Sequence, residues 1–145
     1  MIFKEKPSDF KAKFEVVSCF LECNGEILLL HRQDRRPEGN TWGVPAGKVE
    51  EGEALFGAIT RELAEEVAHR VGKEAELRYF GKVYVRFSTK DFVYHMFHLP
   101  FADKPAIKLD PKEHKSFKWV TPQKALEMDL IEDEDSCIKL FYNIA

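Results

Sequence analysis

From Phe14 to Cys23 apolar side chains occupy both alternating registers, and Ile27 to Leu30 repeats the pattern with only Asn24-Gly25 and polar flanks between them. Two strands buried on both faces, joined by a tight turn, are expected, because Asn-Gly readily supplies the positive φ angles of a two-residue hairpin. Gln33 to Thr41 is polar and carries Pro37 and Gly39, which predicts a loop of about nine residues whose length suggests a functional role. Trp42 to Pro45 leads back toward the sheet. Leu55, Ile59, Leu63 and Val67 then recur four apart, predicting a helix from Glu53 to about Arg70 with Gly72 as its left-handed stop. Leu77 to Phe87 and Phe92 to Leu99 read as strands around a polar turn at Ser88-Thr89-Lys90-Asp91, and Phe117 to Val120 as a short final strand. Thr121 before Pro122 marks a capped helix start, and a last amphipathic helix is expected from about Asp133 to Tyr142. No internal repeat, low-complexity tract or linker interrupts this order.

Composition narrows the picture. With 145 residues, 44% of them hydrophobic, the chain has enough apolar material for one core, so a single domain over residues 1–145 is expected. The net charge is −3, which gives no global field for a nucleic acid polymer. Local positive charge does exist, at His31, Arg32, Arg35 and Arg36. Neither a signal peptide nor a membrane span is legible, so a cytoplasmic protein that does not engage the membrane is the expectation. Cys19, Cys23 and Cys137 form no zinc-ligand spacing and read as buried free thiols.

The chemistry concentrates between Gly47 and His69. On a helix Glu62 and Glu66 project about 40° apart, and Glu65 about 60° from Glu62, so three carboxylates share a face. Such a cluster destabilises the helix unless a hard cation offsets the repulsion, and Mg²⁺ both accepts carboxylate oxygens and bridges to phosphates. Arg61 and Glu65 stand four apart, so an ordinary surface ion pair accounts for part of the pattern. It does not account for Gly47 six residues before Glu53, or for Glu53 eight before Arg61.

Gly47, Glu53, Arg61, Glu62, Leu63, Glu65 and Glu66 together resemble the Nudix box, which spans 23 residues here. Two positions depart from the family pattern, where Ala68 replaces a glycine and His69 an aliphatic residue. With Ala68 there, the helix is expected to continue about one turn further. The resemblance implies an α+β fold, an α/β/α sandwich with a central mixed β-sheet flanked by helices. It also implies a metal site at the Gly47 carbonyl with Glu62, Glu65 and especially Glu66, loaded with Mg²⁺ or its substitute Mn²⁺. Glu62 is then a ligand or the general base, with Arg61 orienting it and Glu53 pairing with Arg61.

Members of the family use one further acid outside the box. Glu113, six residues before Trp119 in an arrangement similar to MutT-type members, is the leading choice as that catalytic carboxylate and metal ligand, and competes with Glu62 as the general base. Asp110 and Asp103 compete, and a plain loop role is the bland reading. Arg32 ends a stretch similar to the MutT-type strand that carries a phosphate-contacting arginine, and Lys48 lies beside the metal loop; each is otherwise a solvated cation. Trp42, Tyr84, Phe87 and Phe97 include either a base-stacking platform or only core aromatics. His95, His98 and His114 show no ligand spacing, and Glu132-Asp133-Glu134-Asp135 reads as a capped, solvated helix start.

The expected activity is Mg²⁺-dependent cleavage of the diphosphate in a small nucleoside diphosphate-linked molecule of NTP, NDP-sugar or dinucleotide type. A silent nucleotide-binding or regulatory module of the same fold is the alternative, although the box keeps all its acids. An interaction domain whose charged helix is merely a soluble face is a third reading. The oligomeric state is open, with a homodimer among the options.

Overall fold

The hairpin forms as the sequence predicts. In the computed structural model, which describes residues 1–88 and 90–145, β2 (Ala12–Cys23) and β3 (Glu26–Arg32) pair antiparallel through Glu22 with Ile27, and Asn24 and Gly25 take φ of 51° and 79°. The described strands make one eight-stranded sheet. Its path is β1 (Ile2–Phe3), β6 (Arg78–Phe87), β7 (Lys90–Phe101), β2, β3, β4 (Trp42–Gly43), while β5 (Ala46–Lys48) adds to β2 and β8 (His114–Val120) to β3. The long β2–β7 pair is parallel and its neighbours are antiparallel, so the sheet is mixed.

Alternation along β2 divides the interior. Val17, Cys19 and Leu21 face α1 (Leu55–Val67) and bury Ile59, Leu63 and Val67 with Leu28, Leu30, Phe97 and Leu99. Phe20, Ile27, Leu29, Val83, Val85 and Met96 face the other way, beneath α2 (Pro122–Ala125) and α3 (Glu134–Tyr142), where Ala125, Cys137 and Ile138 close a second core. Period-2 strands feeding two amphipathic helical faces thus give the α/β/α sandwich. All three cysteines are buried and free. Thr121 caps α2 by accepting from the Lys124 amide at 3.2 Å, with Pro122 in the first turn.

Three expectations change. Helix α1 stops at Val67 rather than running on, because Ala68 itself adopts the left-handed conformation (φ 58°, ψ 32°) and the His69 amide bonds back to the Leu63 carbonyl at 3.1 Å. Gly72 is therefore not the stop. Strand β7 begins at Lys90, inside the segment read as a turn, of which Thr89 lies outside the described residues. The acidic run at 132–135 is not simply solvated: Asp133 precedes α3 with no side-chain capping bond, and Glu134 is only 4% exposed.

Candidate active site

Residues from β5, the loop after it and α1 meet at one end of the sheet. The β2–β5 register sets Val17 opposite Gly47, and Gly47 lies against Glu62 in the second half of α1. A Cβ at Gly47 would overlap the Glu62 carboxyl group, so the glycine is required by space rather than by backbone angle. Gly47 thus sits in a strand and not in the loop that the sequence suggests.

Arg61 organises the neighbouring charges. Its Nε and Nη2 donate to both Glu53 oxygens at 2.9 and 3.0 Å, a bidentate fork, and Nη2 also donates to the Lys48 carbonyl at 3.0 Å. Nη1 donates to Glu62 at 2.8 Å and to Glu65 at 3.3 Å. The guanidinium beside Glu53 holds that carboxyl down to about 2. Glu62 goes the other way, since burial raises its pKa against the opposing pull of Arg61. Glu66 is raised well above the ordinary value by burial and then by the charge of Glu62, while the Ala46 amide donates to it at 3.3 Å. Two carboxyls, one buried and one partly buried, are therefore pressed together, each resisting ionisation.

The other sequence-derived candidates stand further out. Glu65 is 58% exposed and turned toward Arg61. Glu113 lies in the turn before β8, ion-paired with Arg36 at 3.2 Å, though its charge reaches Glu66. Asp110 is spent on that same turn, accepting from the Lys112 amide at 3.0 Å. Among the described residues no three acidic, histidine or cysteine side chains form a ready-made ligand set. The donor chemistry nonetheless fits a hard divalent ion, because the Glu62 and Glu66 carboxyls repel each other beside Gly47.

A cavity of about 360 Å³ opens beside this pair. Its floor is aromatic, with Phe14 and Phe92 stacked at 5.1 Å and Phe87 and Tyr94 close by. Arg32, Lys48 and Glu66 line the cavity, as do Ile131, Glu132, Asp133 and Glu134. Arg32 is steadied by a 2.9 Å bond from Nε to the Pro37 carbonyl, and the Lys48 ammonium rests 4.3 Å from the Phe14 ring centre. His114 also lines the cavity; burial and the Arg32 charge lower its pKa to about 4, so it is neutral at pH 7. Of the aromatics singled out in the sequence only Phe87 reaches the cavity. Trp42 stacks on His31 at 4.2 Å, Tyr84 packs edge-on to Phe10, and Phe97 lies in the α1 core. Phe14, Phe92, Tyr94 and Glu134 have no local signature, and only the alternation of β2 and β7 could have pointed to the first three.

The fold is a mixed sheet between helices, with clustered carboxyls and an arginine fork beside an aromatic cavity. The NUDIX domain family model matches residues 13–141, and the chain belongs to the Nudix family, a family of pyrophosphohydrolases. The chain is similar to the MutT protein from Methanosarcina mazei Go1, at 26% identity over 92% of this chain and 95% of that one, with a TM-score of 0.77. The NUDIX domain of Shewanella oneidensis NrtR, complexed with ADP ribose, shares the fold at 22% identity, covering 96% and 92% of the two chains at TM-score 0.76. So does a bifunctional NMN adenylyltransferase/ADP ribose pyrophosphatase from Francisella tularensis, complexed with AMP and a Mn ion, at 22% identity and TM-score 0.74 over 94% of this chain and 43% of that one. Among the described residues no helix is long and apolar enough to cross a membrane.

Proposed function

We propose that the chain is a Mg²⁺-dependent hydrolase that cleaves the diphosphate linkage of a small nucleoside diphosphate derivative. The observation that carries the reading is the mutual crowding of Glu62 and Glu66 behind Gly47, which a bound cation would relieve. Gly47, Glu62 and Glu66 would hold Mg²⁺ or Mn²⁺, with Glu65 and Glu113 completing the set once released from Arg61 and Arg36. When bound, the cation supplies neutralisation of the phosphoryl charge. Arg32 and Lys48 contact phosphate oxygens from the mouth of the cavity. Glu62 or Glu113 takes the proton of the attacking water, and Arg61 keeps Glu62 aimed. Cleavage of the P–O–P bridge by water then gives two phosphorylated products with no covalent enzyme intermediate.

The cavity adjoins the acidic pair, so a diphosphate at the box places its nucleoside over the aromatic floor. ADP ribose, bound by one structural neighbour, is of this class, and AMP, bound by another, is the nucleoside monophosphate that cleavage of such a linkage releases. The test is incubation with Mg²⁺ and a panel of NTPs, oxidised NTPs, ADP-ribose, NDP-sugars and dinucleoside polyphosphates, with products identified by mass. Phosphorylated fragments from at least one member are expected. Saturable binding with no product after long incubation would instead favour the silent nucleotide-binding module.

A further inference from the structure

Where α3 begins, a buried carboxyl belongs to the wall of the same cavity. Glu134 Oε1 accepts from the Val44 amide at 2.9 Å, while Oε2 is buried and has no hydrogen-bond partner among the described residues. The residue is 96% buried by the complement of its 4% exposure, and it lines the cavity with Tyr94 and Cys137. Space for it is left by Gly43, where a Cβ would stand 3.4 Å from Oε1 and 3.1 Å from Ile131. An unpaired polar oxygen in an aromatic pocket is costly unless something completes it. Val44 is two residues before Ala46, whose amide holds Glu66, so one residue both belongs to the cavity wall and holds the segment that serves the acidic pair.

We propose that Glu134 is the specificity-determining and positioning residue of this site: its free oxygen accepts an N–H from the buried edge of a ligand's ring, while its bonded oxygen fixes the Val44–Gly47 strand. This rests on the reading of the cavity as the nucleoside seat. The chemistry selects bases that carry a ring N–H at that edge, guanine and uracil, over adenine and cytosine, whose unprotonated ring nitrogen would face the carboxylate lone pairs. Burial without a cation raises the Glu134 pKa to about 7, so the carboxylate is available to accept at slightly alkaline pH.

The experiment compares wild type with Glu134→Gln and Glu134→Ala at pH 8. Binding of GDP, UDP, ADP and CDP is measured in EDTA, without metal, alongside Mg²⁺-dependent hydrolysis of the matching NDP-sugars. Gln keeps its oxygen on the Val44 amide and turns an NH₂ donor into the cavity. The GDP-to-ADP and UDP-to-CDP affinity ratios are therefore expected to fall by about tenfold or more, the worth of one well-placed polar contact. The Ala variant loses both contacts, so its kcat should fall below that of Gln while base selectivity flattens. Equal base ratios in wild type and Gln would overturn the proposal, as would failure of wild type to bind any of the four nucleotides. Hydrolysis that persists with unaltered ratios would remove this inference and leave the hydrolase intact; shifted binding ratios with no hydrolysis would do the reverse.

Discussion

The cavity wall uses carboxylates in two opposite ways, one at the box end and one at the start of α3. At the box end Glu62 and Glu66 are four residues apart on one helix, crowded against each other and offset on one side by Arg61. At the start of α3 Glu134 stands alone, offset by a single backbone amide. The first arrangement suits an ion, because several oxygens converge and their repulsion disappears when positive charge arrives. The second suits a neutral polar group, because one oxygen is already satisfied and the other asks for one partner. A diphosphate-linked nucleoside has both kinds of end.

The sharpest way to break that contrast is Glu66→Gln, which keeps the shape and removes the charge. If the box end works through electrostatics, kcat should drop by about 10²–10³, or about 3–4 kcal/mol, as when one preorganised charge-stabilising contact is deleted. The base ratios of the previous section should not move. Steady-state kinetics across the substrate panel checks both, and near-normal turnover would remove Glu66 from the catalytic machinery.

Glu134→Gln tests the other end through stability alone. The wild-type carboxyl is raised from 4.5 to about 7 by burial, so its ionised form is disfavoured in the folded chain. No cation contacts it: Asp135 and Cys137 stand near it on its own helix and Tyr94 on β7, the Met1 ammonium is paired with the adjacent Asp133 at 2.6 Å, and the Val44 amide is its one stabilising partner. The folded state holds its proton more tightly than the unfolded state. Wild-type stability attributable to this group is therefore full below pH 4.5 and declines as pH rises toward 7, by roughly 3 kcal/mol in all. Glutamine cannot ionise, so the variant should gain on wild type across that window and nowhere else. Urea melts at pH 4, 6 and 8 measure the difference, and a gap independent of pH would show that the carboxyl does not titrate where its burial places it.

These two ends also differ in how far they can be read from the chain. Glu53, Arg61, Glu62, Glu65 and Glu66 lie within fourteen consecutive residues, so helical spacing alone brings most of them together, and the Glu53–Arg61 pair forms as the resemblance implies. Gly47 was legible as a required glycine, but its reason, room for the Glu62 carboxyl, depends on strand β5 docking beside α1. The strands of the hairpin were legible because both of their faces are apolar. Strands β1, β4 and β5 were not, since elements of two or three residues exist only through their partners. Glu134 was read as solvated because three acids surround it in sequence. Its burial comes from packing against Gly43 and Val44, about ninety residues away along the chain, and no local pattern encodes that.

Arg61→Lys probes the box end more gently. Lysine keeps the charge but cannot span both Glu53 oxygens, Glu62 and the Lys48 carbonyl at once. A loss of about tenfold in kcat, or about 1.4 kcal/mol, is expected with KM nearly unchanged, the signature of a group that acts by aiming Glu62. A larger change in KM than in kcat would point instead to direct contact with the substrate.

The smallest effect lies just past the acidic pair. Ala68 holds a left-handed conformation that an L-residue with a Cβ adopts at a cost and glycine adopts freely. The box pattern has glycine at this position, and the structure shows why: the chain must turn there so that the His69 amide can close on the Leu63 carbonyl. Ala68 is also exposed, so glycine forfeits no buried contact. Ala68→Gly should therefore stabilise the fold by about 0.5–1 kcal/mol, less than the full conformational cost because the unfolded chain gains freedom as well. For a chain of this size that is a rise of about 1–4 °C in Tm. Because Glu62 and Glu66 sit on the preceding turns, turnover should stay within about twofold of wild type, a difference of about 0.4 kcal/mol. A variant that melts lower would mean that the alanine is held by contacts the glycine cannot replace, and a change in metal affinity would mean that the helix end sets the spacing of the acidic pair.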